Sequence, residues 1–284
     1  MVAVRVPRPV LVALLVTTSV LAAGCSGEDD QRSYVALGDS FTAGPLIPPV
    51  ADAGCQRSSS NYPSLLAEAQ DLDLVDVSCT GADTSDLIDP QQLADDATAP
   101  PQLDALADDT DLVTISIGAN DGAIATAVLV VCSQLGADDP DGTPCQDAEQ
   151  DLPSTVSELI DAMGEHLDLA YAAVQERAPD AEVLVVGYPQ VVPAQGTCRD
   201  RLPIAEADYP WARDLNEQLD RTIRERAEAA GLTFVDVWAA SEGHDICSDD
   251  PWVNGQTTDP DAALAFHPFA SYEQAVADLV ADAL

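Results

Sequence analysis

The chain has 284 residues, of which 50 are acidic and 11 basic, for a formal net charge of −39. Every base is an arginine and the acids are spread along the whole sequence, so the surface they imply is solvated and acidic, which excludes nucleic acid as a partner and repels anionic membranes. Once an N-terminal leader is set aside, about 260 residues remain, enough for one large α/β domain with a well-buried core.

The leader is the first element. Arg5 and Arg8 precede an apolar run from Val10 to Leu21, which is shorter than the ~20 residues of a comfortable membrane span and matches the hydrophobic region of a secretory signal. Ala22, Ala23 and Gly24 then lead into Cys25, and "LAAGC" is similar to a bacterial lipobox. Residues 1–24 are therefore expected to be a lipoprotein signal peptide, Cys25 the lipidated first residue, 25–33 a short tether and 34–284 the folded domain. The expected location is outside the cell, on the outer face of the membrane through that lipid or secreted. No other membrane contact is expected.

Beyond the tether, short apolar runs alternate with longer helical patterns, which predicts a parallel sheet covered on both faces. The candidate strands are 34–37, 74–77, 112–117, 182–187 and 233–237. Residues 155–177 open with Thr155 and Glu158 at capping-box spacing, keep apolar residues at helical intervals and stop at Pro179. A second helix is expected over 211–230, ending before Gly231, and a last one from Ser271 or just before it. Stretches 44–60, 89–101, 133–153 and 239–260 read as loops, where such a sheet places its binding residues.

Seven cysteines complete the framework. Setting Cys25 aside leaves Cys55, Cys79, Cys132, Cys145, Cys198 and Cys247, an even number that suits disulfides in an exported chain. Several pairings are formally possible; closing the smallest loops joins Cys55 to Cys79, Cys132 to Cys145 and Cys198 to Cys247. No CxxC pair or His/Cys cluster at ligand spacing occurs, so no metal site is expected.

Three strand ends run directly into small or polar residues: "VALGDSFTAG", "DVSCTGADTSDL" and "VTISIGANDG". In a parallel sheet these ends converge on one edge, making Ser40, Gly81, Gly118, Asn120 and Asp121 neighbours. A serine there would need a base for its proton and donors for an oxyanion. Of the three histidines, His166 lies within a long helix and reads as an exposed residue, while His244, beside Cys247, reads as structural or pocket-lining. His267, in "ALAFHPFASYEQA" just before the last helix, is the candidate base.

The ordered blocks "GDSFTAG", "GADTSDL", "GAND" and "FHPFASYEQAVADL" resemble those of the SGNH hydrolases, or GDSL-type esterases and lipases. The six cysteines and "GHDIC…PWVNG" look like the secreted actinobacterial branch, with three successive disulfides. The resemblance implies a three-layer α/β/α sandwich around a parallel sheet of about five strands, flavodoxin-like in type. It also implies a serine esterase or lipase acting through an acyl-enzyme, with Ser40 as nucleophile and His267 as general base. The N–H groups of Ser40 and Gly81 and the amide of Asn120 would form the oxyanion hole. No cofactor is expected; the implied partner is a small ester or lipid, and the chain is expected to be a monomer.

One position departs from the family pattern. Three residues before His267, where an aspartate is usual, stands Leu264, so no carboxylate is available at that spacing. The backbone carbonyl of Leu264 is the expected acceptor for the other ring nitrogen, with Asp261 or Asp259 as the fallback. Two other readings remain: an envelope acyltransferase using the same residues, and a catalytically silent envelope binding protein that keeps the fold, which the presence of Ser40, Gly81, Asn120 and His267 disfavours. No GxSxG elbow and no phosphate-binding glycine loop is present. Loops 44–60, 121–153 and 188–210 are expected to shape an acyl pocket.

Overall fold

The computed structural model describes residues 1–5 and 31–284, so the apolar leader run and Cys25 lie outside the described residues. Residues 1–5 are exposed and irregular. The unit from Gln31 to Leu284 is an α/β domain built on five parallel strands.

The strands are β1 (Ser33–Gly38), β2 (Asp73–Asp76), β3 (Leu112–Ser116), β4 (Glu182–Val186) and β5 (Thr233–Val235), in the spatial order β2-β1-β3-β4-β5. All five residues of β3 are buried, and β1 is nearly so, because helices cover both faces. The β2 strand is an edge and shows it in "DLVD", where exposed and half-buried positions alternate. Two short antiparallel ladders, 50–58 and 91–99, fill stretches that read as loops in the sequence.

Among the described residues eight α-helices follow: α1 (Ser40–Ala43), α2 (Tyr62–Gln70), α3 (Cys132–Asp138), α4 (Pro144–Glu149), α5 (Val156–Arg177), α6 (Tyr209–Ala229), α7 (Val237–Ala240) and α8 (Ala270–Ala283). The capping box at Thr155 and Glu158 opens α5 as its sequence predicts. The 22-residue α5 packs against α6, and α2 packs against α8. These pairs form the two outer layers: the step from β1 to β2 runs one way across the sheet, the steps from β3 through β5 run the other, and right-handed crossovers put their helices on opposite faces.

The strand order reverses between β1 and β3, and open α/β sheets bind ligands at the C-terminal ends of such strands. Ser40 follows β1 and Asn120 follows β3, so both sit at this reversal. Disulfides join Cys55 to Cys79, Cys132 to Cys145 and Cys198 to Cys247. That framework fits an oxidising, extracytoplasmic setting.

Candidate active site

The turn after β1 depends on Gly38. A Cβ there would lie 2.2 Å from Thr42 Oγ1 and 2.7 Å from the carbonyl oxygen of Ser116, so only glycine lets α1 fold this close to the sheet. Asp39 caps the helix, its Oδ1 accepting from Phe41 N–H at 2.8 Å. The N–H groups of Thr42 and Ala43 donate to the Asp39 carbonyl, leaving the Ser40 N–H without an intramolecular acceptor among the described residues. Ser40 itself is only 5% exposed.

The loop after β2 is held by Cys79 N–H donating to Gly38 O and Thr80 N–H donating to Cys55 O, both at 3.0 Å. Gly81 then adopts φ +84 on the surface, a left-handed conformation that favours glycine, and its N–H likewise has no intramolecular acceptor among the described residues. Asn120 reaches this loop: its Nδ2 donates to Ala82 O at 2.8 Å, which spends one amide hydrogen and leaves the second. Asp121 reinforces the junction by accepting from Thr84 N–H at 2.9 Å and Thr84 Oγ1 at 2.5 Å.

The segment before α8 brings in the imidazole. His267 Nδ1 lies 2.8 Å from the carbonyl oxygen of Ala265, and its ring stacks on Phe41, centroid to centroid 6.2 Å. The Leu264 N–H meets Pro45 O at 3.4 Å, docking this segment on the one that carries Ser40. Withdrawal of the ring from solvent lowers the His267 pKa below its usual 6.5, against the opposing pull of the Ala265 carbonyl.

The expected orienting carbonyl of Leu264 is thus replaced by that of Ala265. The physical reason lies in Phe266, whose φ of +62 reverses the chain so that the Ala265 carbonyl faces the ring of His267. The Leu264 carbonyl is already taken, accepting from the His267 backbone N–H and from Asn254 Nδ2, each at 3.2 Å. Neither fallback acid reaches the ring: Asp259 Oδ1 accepts from Asp261 N–H at 3.0 Å, and Asp261 is exposed.

The other histidines stand elsewhere. His244 stacks on Trp252 at 4.5 Å and directs Nδ1 to the Asp250 carbonyl at 2.8 Å, a structural role. His166 is largely exposed but not idle, since its Nδ1 lies 3.0 Å from Asp121 Oδ2. Spacing could not have shown that contact, because it joins α5 to the end of β3.

An apolar cavity lies against Phe41, the residue after Ser40. Phe41, Ala119 and Tyr188 line it together with Val128, Leu129 and Leu219, and its one polar liner, Asn216, has its Oδ1 occupied by the N–H groups of Val191 and Val192 at 2.8 and 3.2 Å. Val128 and Leu129 come from a π-helical stretch, Thr126–Val131, that runs into α3. Residues of stretches 121–153 and 188–210 line this cavity, whereas 44–60 does not touch it. Sequence reasoning also missed Asp39 and Tyr188, whose hydroxyl donates to Asp39 Oδ2 at 2.5 Å.

Comparison with known proteins places this fold among carboxylic ester hydrolases. The GDSL-like Lipase/Acylhydrolase family model matches residues 36–272. Lipase 2 of Streptomyces coelicolor is 36% identical over 262 residues, 88% of this chain and 85% of that protein. Among solved structures, phospholipase A1 from Streptomyces albidoflavus NA297 superposes with a TM-score of 0.73 at 28% identity, covering 89% of this chain and 99% of its own. The extracellular lipase from Streptomyces rimosus gives 0.71 at 27%, again with 89% and 99% covered. The chain belongs to the GDSL-like lipase/acylhydrolase family, as the four sequence blocks imply.

Proposed function

We propose that the enzyme hydrolyses esters of apolar acyl groups through an acyl-enzyme, using Ser40 and His267 as a dyad. The observation that carries this reading is an imidazole oriented by a backbone carbonyl and stacked against the residue after Ser40, beside a cavity whose walls are apolar. The acyl chain enters the cavity and the alcohol portion faces solvent. With Nδ1–H donating to Ala265 O, the unprotonated Nε2 is the atom that takes the Ser40 proton as Oγ attacks the carbonyl carbon.

The oxyanion that forms is met by donors left unspent by the fold, the N–H groups of Ser40 and Gly81 and the second amide hydrogen of Asn120. Protonated His267 then gives its proton to the departing alkoxide, and the alcohol leaves. Water attacks the acyl-Ser40 ester by the same route in reverse, with His267 again as base, releasing the acid and free Ser40. Labelling by a fluorophosphonate probe tests the nucleophile. Wild-type protein should be modified and should turn over p-nitrophenyl esters, and Ser40→Ala should do neither. Probe incorporation that persists in Ser40→Ala would sink the assignment.

A further inference from the structure

The proposed chemistry leaves unused a buried pair directly behind the nucleophile. Asp39, 1% exposed, and Tyr188, 2% exposed, belong to different parts of the chain and meet through a 2.5 Å hydrogen bond from the tyrosine hydroxyl to Oδ2. The same hydroxyl oxygen accepts from the Ala119 N–H at 3.4 Å. It therefore bridges the residue before Ser40 to the residue before Asn120. Each end of the bridge is one peptide away from a donor of the oxyanion hole.

The ring is fixed as firmly as the hydroxyl. Its edge meets Phe41, with centroids 5.4 Å apart and planes at 81°, and Phe41 in turn stacks on His267. The Tyr188 backbone is pinned from α6, where Asp220 Oδ1 accepts its N–H at 3.2 Å. One side chain after β4 thus touches the turn that holds the nucleophile, the loop that holds the amide and the aromatic ring that supports the base.

We propose that Tyr188 is a positioning residue which sets the Ser40 N–H and the Asn120 amide at the spacing an oxyanion requires, through its hydroxyl bridge from Asp39 to Ala119. The inference rests on the function proposed above and deepens it. Burial drives the Asp39 carboxyl up to about 7, and the bond from Tyr188 opposes that rise, so the bridge also helps keep the acceptor ionised near neutral pH.

The test is Tyr188→Phe, which keeps the ring and the cavity wall and removes both bonds. On p-nitrophenyl butyrate, kcat should fall roughly 10- to 100-fold, as for a small misplacement of catalytic groups, while KM changes less than about two-fold. A merely structural role predicts that the same loss appears in any background. A positioning role predicts that it shrinks in Asn120→Ala, where one of the two donors to be placed is already gone. Asp39→Asn, which keeps the shape but is a weaker acceptor, should give the same pattern and stands in if Tyr188→Phe does not fold. An unimpaired Tyr188→Phe, or a loss undiminished in Asn120→Ala, overturns the inference. A wild-type protein that neither turns over esters nor takes the fluorophosphonate probe would instead bring down the proposed function, and this inference with it.

Discussion

Phe266 occupies a left-handed conformation that costs a bulky residue about 1–3 kcal/mol, held in place by its own burial and by the docking of the flanking residues. That reversal brings the Ala265 carbonyl to His267 Nδ1, and on the proposed dyad a carboxylate there is unnecessary. Asp261→Asn should accordingly leave kcat/KM within about two-fold of wild type, and a loss of several orders of magnitude would reveal a hidden acid. The ring's burial has its own consequence. A base must be neutral, and the lowered pKa of His267 keeps it so below its usual 6.5, so the acid limb of the pH–rate profile should fall below that value. A limb centred above 6.5 would argue against His267 as the titrating base.

Among the elements, the π-helical stretch before α3 should set chain-length preference on the proposed function, because Val128 and Leu129 reach the cavity from it and Ala125 lines the same wall just ahead of it. Ala125→Phe should shorten the cavity. We expect kcat/KM for octanoate and longer p-nitrophenyl esters to drop roughly 10- to 100-fold, with acetate nearly unchanged, on the usual worth of a few methylenes in an apolar pocket. An unaltered chain-length profile would place the acyl chain elsewhere. The elements themselves were unequally legible. The inner strands β1, β3 and β4 could be read because burial on both faces leaves continuous apolar runs, and α5 because its capping box is local. The helix α4 and the 50–58 ladder were hidden in stretches rich in Pro, Gly and Asp, where local propensity says loop and a disulfide or neighbouring packing decides otherwise. Ser40, Gly81, Asn120 and His267 were visible as ordered blocks. Ala265 and Tyr188 were not, since one depends on the dihedral of a single residue and the other on a contact across the sheet.

Over the molecule as a whole, the heavy acidic surplus is not confined to the surface. Asp39 and Asp220 are pushed up to about 7, and Asp76 and Glu273 are raised as well, in each case chiefly by burial. A carboxyl whose folded pKa exceeds its unfolded value binds a proton on folding, so its contribution is full below the unfolded pKa and is lost as pH rises through the folded one. For Asp39 and Asp220 that window runs from 3.8 to about 7. His267 works in the opposite sense, one group against four. Differential scanning calorimetry should therefore give a higher Tm at pH 5.5 than at pH 8, while the hydrolytic rate falls over the same range once His267 protonates. A Tm that declines on acidification to 5.5 would contradict this.

The docking of Leu264 N–H on Pro45 O joins the last loop before α8 to the first turn after β1. On the proposed dyad, Ser40 emerges from the ribosome long before His267, and every nascent chain that stops short of His267 carries a serine without its base. On the proposed mechanism, a clip between Cys247 and α8 that frees the C-terminal segment would silence the enzyme without touching Ser40, whereas one between α6 and Cys247 would leave that segment tethered by the Cys198–Cys247 disulfide.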